Sequence, residues 1–430
     1  MNYNEAMEYL DNAAMFGMNF GLERTINILK HLGNPQDKIK CIHIAGTNGK
    51  GSTTAMISSV LRESGYKVGM HTSPYIEVFE ERIQINNKNI PKERLAEIIT
   101  KVRAAVDLLD TAKIGVPTYF ELVSCAAFLY FCEEKVDFAV IEVGLGGRLD
   151  STNVMVPELS IITSISYDHM NILGNTLGEI AGEKAGIIKE NVPVIAYPND
   201  DEVMEVIKNK CEEMVSELII ADKIGELVKI IKGENTIPYQ IACIDTVKNK
   251  YELKLPLLGE HQIKNATVAI CALEKLSEVG YEITLKSILN GINKVTWPGR
   301  LEVLKESPMV VIDGAHNLGG IKALAENTKK YFSYNNMVLI LGILADKQVE
   351  EMIKTIVPMA SKVITVTPNN NRAESNVELM DIIKKYNENC EAIDNYEEAY
   401  KKGLSYCSED DLLLISGSLY MIGDMRKIIN

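Results

Sequence analysis

The sequence predicts an α/β protein of two domains, each built on a mainly parallel sheet. Three observations carry that expectation. Short apolar runs of strand length alternate with segments of helical period along nearly the whole chain, the pattern of strands joined by crossover helices. A glycine-rich turn at 46–51 follows the first such run and opens a helix. A Pro-Gly signal at Pro298-Gly299 interrupts the alternation, which then restarts.

In chain order, 38–45 reads as a buried strand, 50–64 as a helix and 67–72 as the next strand. Pro91 opens a helix whose apolar positions Leu95, Ile98, Ile99, Val102, Ala105, Val106 and Leu109 form one 3.6-residue stripe. Thr118 with Glu121, and Thr176 with Glu179, fit the capping box that satisfies free N–H groups at a helix start. Between them lie strand-like runs at 136–143 and 159–165. The stretch 200–254 mixes charged patches with short β-like runs and is expected to complete the first domain as a small antiparallel appendage. Helices follow at 262–279 and from Thr284. After the turn at 295–300, strands are expected at 309–312, 337–343, 362–366 and 412–416, with helices between them. The domains are therefore expected at 1–296 and 297–430.

Length and composition agree, since 430 residues correspond to two or three domains at roughly 150 each. Hydrophobic residues make up 46 % and charged residues 24 %, which supports a large core and excludes disorder, collagen and coiled coil. A formal charge of −14 argues against nucleic-acid or anionic-membrane partners but leaves room for a local anion site. The longest apolar runs, 122–132 and 337–345, fall short of the roughly 18 residues a membrane span needs. The acidic, amphipathic N-terminus is neither a signal nor a transit peptide. Eight cysteines without a CxxC pair read as reduced thiols, so a cytoplasmic protein without structural zinc is expected.

The strongest local signal is Gly46-Thr47-Asn48-Gly49-Lys50-Gly51-Ser52-Thr53. Glycines let backbone N–H groups turn around phosphate oxygens, and the helix N-terminus adds roughly half a positive charge. Lys50 supplies a full charge for the outer phosphates. The first domain is thus P-loop NTPase-like and the smaller second one Rossmann-like. Two departures from GxxxxGK[ST] are informative: Ile44 replaces the first glycine, and Gly51 stands where a magnesium-binding hydroxyl is usual. Mg²⁺ prefers hard oxygen ligands, so the hydroxyl must come from Ser52 or elsewhere.

The loop, with His71-Thr72-Ser73-Pro74-Tyr75, resembles the folylpolyglutamate synthase and dihydrofolate synthase family, a branch of the Mur-type ATP-dependent amide ligases. Matching segments continue in family order: Glu142 to Asn153, Asp168-His169, Glu183 to Lys189, His261 to Ala266, Trp297 to Arg300, Asp313 to Asn317, Gly342 to Lys347, and Gly417 to Tyr420. Phe16-Gly17-Met18-Asn19-Phe20-Gly21 matches the opening motif without its usual proline.

The resemblance implies that ATP phosphorylates a carboxylate, which an amine then attacks. Both steps concentrate negative charge, so cations and positioned donors should dominate the site. Thr47, Asn48, Gly49, Lys50, Gly51 and Ser52 would hold the phosphates. Mg²⁺ would be held by Ser73, Glu142 and His169, which resolves the missing hydroxyl at Gly51. Read alone, Glu142 is equally a solvated strand end, and His169 is more often a turn histidine. The matching lysine of related ligases is carbamylated, which makes Lys184 a candidate second magnesium site; alone it is equally a surface lysine. Asn265 resembles the adenine contact, and Arg300 and Asp313 resemble contacts to phosphate and ribose. His316 and Ser418 correspond to positions around incoming L-glutamate, with weaker support for Asp346 and Lys347. His316 is only a candidate for the base. The 73–82 loop is the expected lid over a folate-type substrate, with Tyr75 and Phe79 as ring platforms and Arg82 facing a carboxylate. Arg148 and Asp150 lie in a segment similar to bifunctional members that also accept dihydropteroate, and Asp150 would hydrogen-bond the pterin.

The expected activity is ATP-dependent addition of L-glutamate to a reduced folate, and to dihydropteroate, by a monomer. A Mur ligase for nucleotide-linked cell-wall precursors would need a UDP-binding domain of about 80–100 residues before the loop, where 45 precede Gly46. A P-loop kinase or nucleotide-binding module is disfavoured by Gly51 and by the second domain.

Overall fold

The computed structural model describes residues 1–14, 21–222, 225–233, 236–345, 347–370 and 373–430. Eight strands form the first sheet: β1 (Cys41–Ala45), β2 (Val68–His71), β3 (Ile83–Ile85), β4 (Lys88–Asn89), β5 (Phe138–Glu142), β6 (Leu159–Ile162), β7 (Val194–Ala196) and β8 (Leu218–Ile220). Their order is β4-β3-β2-β5-β1-β6-β7-β8. The six strands from β2 to β8 are parallel, and β3 with β4 adds an antiparallel edge.

Both faces of this sheet are covered, which explains why β1 and β5 are apolar and buried at nearly every position. Alternate residues still point opposite ways. Ile42, Ile44, Phe138 and Val140 join one core with the helices Lys50–Glu63, Glu260–Glu278 and Leu285–Asn293. Ala139 and Ile141 join another with Tyr3–Ala14, Glu23–His31, Lys92–Val106 and Tyr119–Glu133. The expected stripe on Lys92–Val106 is buried at Leu95, Ile98, Ile99, Val102 and Ala105.

The 200–254 expectation needs correction. Asp201–Glu213 is a helix, with Val203, Met204, Ile207 and Cys211 buried at helical spacing, and β8 joins the parallel sheet. Only β9 (Glu226–Gly233), β10 (Thr236–Asp245) and β11 (Lys250–Leu255) form a separate antiparallel sheet, packed on the first core.

The remaining sheet contains β12 (Glu302–Glu306), β13 (Met309–Asp313), β14 (Met337–Leu341), β15 (Lys362–Thr365), β16 (Cys390–Ala392) and β17 (Leu412–Ser416), in the order β12-β13-β17-β14-β15-β16. It is parallel except for the β12 edge. Short edge strands such as β3, β4, β12 and β16 lack a long apolar run, and sequence patterning misses them. No helix among the described residues is long and apolar enough to cross a membrane. All eight cysteines are free thiols.

Both expected capping boxes are present. At Thr118 the hydroxyl accepts from Glu121 N, and the Glu121 carboxylate accepts from Thr118 N at 2.6 Å while pairing with Arg24 at 3.0 Å. Thr118→Ala should cost about 1 kcal/mol and lower Tm by about 2–4 °C in a thermal melt. An unchanged Tm would show that the cap is dispensable.

Candidate active site

The chain leaves β1 towards β2 on one side of the sheet and reaches β6 on the other. The carboxyl ends of β5, β1 and β6 therefore flank a topological switch point, where α/β sheets form crevices. The crevice faces the carboxyl ends of the second sheet and encloses a cavity of about 690 Å³. The phosphate loop leaves β1, Ser73 follows β2, Glu142 ends β5, and Asp168-His169 follow β6.

The loop glycines admit neighbours where side chains would stand. Gly49 has φ +90°, and a Cβ there would run into the Asn265 amide. A Cβ on Gly51 would lie 2.6 Å from the indole of Trp297. Gly51 therefore makes room for the segment that connects the two sheets. Lys50 Nζ donates to Gly46 O at 3.1 Å, and Lys184 Nζ donates to the same oxygen at 2.9 Å. Burial, reinforced by Lys50, lowers the Lys184 pKa to about 7. Glu142 Oε1 is 4.0 Å from Lys50 Nζ, and Oε2 accepts from Ser73 N at 3.3 Å. Burial raises the Glu142 pKa, and Lys50 opposes that rise.

His169 adopts a left-handed conformation (φ 49°) at the head of a short helix, and its N–H donates to Asp168 Oδ1. Asp168 reaches across the cavity to Lys347 Nζ at 2.9 Å, in a pair whose side chains are 13 % and 8 % exposed. Burial pushes the Asp168 pKa up, but His169 and Lys347 outweigh it and hold the carboxyl at about 2. Asn317 adds a second bridge, donating to Asn48 Oδ1 at 3.3 Å and Asp168 Oδ2 at 3.4 Å. Sequence reading had the Asp168 motif but not its partner, which lies 179 residues away.

From the second sheet, Asp313 accepts from Leu301 N and Ala315 N, each at 2.8 Å, and closes the turn that presents Arg300. His316 Nδ1 donates to Gly314 O at 2.7 Å, and burial lowers its pKa to about 4. The ring is thus neutral near pH 7, with a lone pair left on Nε2. The Ser418 hydroxyl is buried without a protein partner.

Residues 44–273 match the Mur ligase middle domain, and 299–419 match the Mur ligase glutamate ligase domain. The dihydrofolate synthase/folylpolyglutamate synthase of Bacillus subtilis (strain 168) is 39 % identical over 432 residues, covering 99 % of this chain and 98 % of that protein. The chain belongs to the folylpolyglutamate synthase and dihydrofolate synthase family. It is an ATP-dependent amide ligase with the two-domain Mur ligase fold. Folylpolyglutamate synthase of Mycobacterium tuberculosis, complexed with ADP and AMPPCP, superposes with a TM-score of 0.90 at 28 % identity, covering 100 % of this chain and 99 % of that one. Escherichia coli FolC, in complex with DHPP and ADP, gives 0.86 at 25 %, covering 100 % and 98 %.

In this ligase, Thr47, Asn48, Gly49, Lys50, Gly51, Ser52, Ser73, Tyr75, Glu142, His169, Lys184, Asn265, Arg300, Asp313, His316 and Ser418 all line the one cavity. Four expected folate contacts do not line it. Phe79 is 5 % exposed and packs in the core behind Tyr75. Arg82 is buried with its guanidinium over the rings of Tyr75 and Tyr119. Arg148 faces solvent and pairs with Glu183 at 2.7 Å. Asp150 is buried, and its oxygens accept from Leu145 N and from the N–H and hydroxyl of Thr152, so it braces its own loop. Residues 16–20 of the opening motif and Asp346 lie outside the described residues.

Trp297 is the single tryptophan, so its fluorescence reports the Gly51 contact directly. Gly51→Ala should shift the emission and cost about 1–3 kcal/mol through overpacking. Unchanged emission would mean that the indole does not pack on the loop.

Proposed function

We propose that this ligase joins the amine of L-glutamate to a folate-type carboxylate through an acyl phosphate, using ATP and Mg²⁺, and that it accepts both dihydropteroate and a reduced folate. The observation that carries the reading is the convergence, in one cavity, of the phosphate loop from the first sheet with Arg300, His316 and Ser418 from the second. In this reading residues 1–296 form the ATP-binding domain and 297–430 the glutamate-ligase domain of a cytoplasmic monomer without nucleic-acid or membrane partners.

Lys50 and the loop N–H groups hold the phosphates, Asn265 meets the adenine, and Arg300 with the Asp313 turn closes on the nucleotide. The residues present fit a magnesium ion. Glu142 is a buried carboxylate that accepts from Ser73 N and stands 4.0 Å from the Lys50 ammonium, and the Ser73 hydroxyl and His169 line the same space. Among the described residues no three His, Cys, Asp or Glu side chains gather as a metal site, which suits an ion held partly by hydroxyl and phosphate oxygens. When bound, Mg²⁺ neutralises charge on the transferring phosphoryl group.

A carboxylate oxygen of the acceptor attacks the γ-phosphorus and ADP leaves. The glutamate amine then attacks the acyl carbon and phosphate departs, with the amine proton passing to a base for which His316 Nε2 is the candidate. The Asp168–Lys347 and Asn48–Asn317 bridges keep the two sheets closed around this step and exclude water.

An ADP- and phosphate-release assay with Mg²⁺ tests the reading. Release is expected with dihydropteroate plus glutamate and with a reduced folate plus glutamate. Activity with neither pair would sink the assignment, and activity with one alone would limit the ligase to that acid. Lys50→Ala should reduce turnover by at least about 10²-fold while circular dichroism stays native; retained turnover would mean the phosphates bind elsewhere.

Lys184 is proposed to carry a carbamate, formed when its neutral amine attacks CO₂ and releases a proton. A folded-state pKa of about 7, lowered from 10.5, makes the amine increasingly neutral as pH rises through that value. Carbon-13 NMR with labelled bicarbonate should therefore show a carbamate signal growing from about pH 6 to about pH 8, absent in Lys184→Arg. A wild-type spectrum without it would refute the modification.

A further inference from the structure

The 73–82 loop is fastened at both ends of its span. At its base, Arg82 O accepts from His71 Nδ1 at 2.8 Å and from Thr72 N at 3.2 Å. Within it, the Glu81 carboxylate accepts from Ile76, Glu77 and Val78 N–H groups at 2.8–3.0 Å, so these three residues move as one unit. Their outer side rests on the C-terminal helix Leu419–Ile429. Ile76 O sits where a side chain on Gly423 would be, and Glu77 pairs with Arg426. Gly423 and Arg426 lie three residues apart, so one helix face carries both contacts.

Arg426 does not stop at Glu77. Its Nε and Nη2 grip Glu302 at 2.8–3.1 Å, and Glu302 Oε2 accepts from Gly299 N at 2.8 Å. Gly299 O accepts from Gly314 N, which locks the turn holding Arg300. A continuous polar chain thus runs from Glu77 through Arg426 and Glu302 to the residue before Arg300.

We propose that Arg426 is a positioning residue for the ligase reaction, holding the 73–82 loop in register with the Arg300 turn so that acceptor and nucleotide are bound in one geometry. This rests on the function proposed above. The three side chains are only 21–23 % exposed, and one cation serves two carboxylates. Removing it would leave Glu77 and Glu302 facing each other as like charges, which pushes the loop from the second domain. A simple surface pair would have little effect. A shared, bidentate, half-buried guanidinium has more.

The test compares wild type with Arg426→Met, Arg426→Lys, Glu77→Gln and Arg426→Met/Glu77→Gln, measuring KM for the acceptor acid, KM for ATP, kcat and Tm. Arg426→Met should raise both KM values together by about tenfold, with Arg426→Lys intermediate. Adding Glu77→Gln to Arg426→Met should recover part of the loss, because it removes the repulsion. Both KM values within twofold of wild type, with or without a lower Tm, would overturn the proposal; so would a change in the acceptor KM alone. If wild type turns over no folate acid, the function proposed above has failed instead. ATP affinity read from Trp297 fluorescence then decides, with a roughly tenfold loss in Arg426→Met expected and an unchanged affinity overturning the coupling.

Discussion

Two ammonium groups converge on one carbonyl oxygen at the end of the central strand. Lys50 and Lys184 both donate to Gly46 O, and the helix that begins at Lys50 adds its own partial positive charge to the same spot. Glu142 offsets part of this from 4.0 Å, itself buried and held by a single backbone donor. Such a concentration of positive charge is tolerable because it lies where a polyanion is bound, and Lys184 lowers the cost by losing its proton near pH 7. The architecture follows from it. Strand β1 sits between β5 and β6, so that one neighbour delivers Glu142 and the other the Thr163–His169 segment, at the carboxyl ends where the change of chain direction leaves a crevice. The −14 net charge of the whole chain says nothing of this locality.

Part of the cavity wall belongs to the second domain, so the two sheets must meet in a fixed register. Around the cavity, three contacts help to set it: the Asp168–Lys347 ion pair, the Asn48–Asn317 amide bridge, and the indole of Trp297 on Gly51. Of these three, the ion pair is the one that titrates, and it does so at low pH. An Asp168 carboxyl depressed from 3.8 to about 2 contributes its full stabilisation above the unfolded value and loses it only as pH falls through about 2. The register of the cavity therefore does not depend on pH in the range where ATP chemistry is possible, whereas the Lys184 amine changes state within it.

What the sequence makes legible here is local. The phosphate loop, both capping boxes and the apolar stripe each rest on residues within one segment; the boxes form as expected, and the stripe is buried from Leu95 to Ala105 while its last position, Leu109, falls beyond the helix end at Val106. Strand ends are legible for the same reason, because a charged residue closing a buried apolar run, as Glu142 does, has one direction to point. Side-chain direction within an irregular loop is not legible. Asp150 accepts from Leu145 N and Thr152 N of its own loop, and Arg148 pairs with Glu183 in solvent. Partners far apart in the chain escape as well: nothing near Asp168 announces Lys347, and nothing near Glu77 announces Arg426. The helix at Asp201–Glu213 is a different kind of miss. Its 203, 204, 207, 211 spacing was present, but the surrounding charge obscured it.

Gly51 joins these threads. Phosphate loops commonly place a magnesium-binding hydroxyl directly after the lysine, and here the position is glycine. The reason is steric before it is chemical: a Cβ would meet Trp297, the first residue of the segment that leads to Arg300. The indole occupies the place where a side chain on residue 51 would begin. A hydroxyl is still needed on the proposed mechanism, and the end of β2 supplies one at Ser73, whose N–H already donates to Glu142. Ser73 is also where the 73–82 loop begins. Moving the hydroxyl from the phosphate loop to Ser73 therefore puts a proposed metal ligand on the element that covers the acceptor acid, and Trp297 puts the connection to the second domain against the phosphates. A glycine in the loop thus makes nucleotide, acceptor and domain contact parts of one packed unit, which a serine at position 51 would separate.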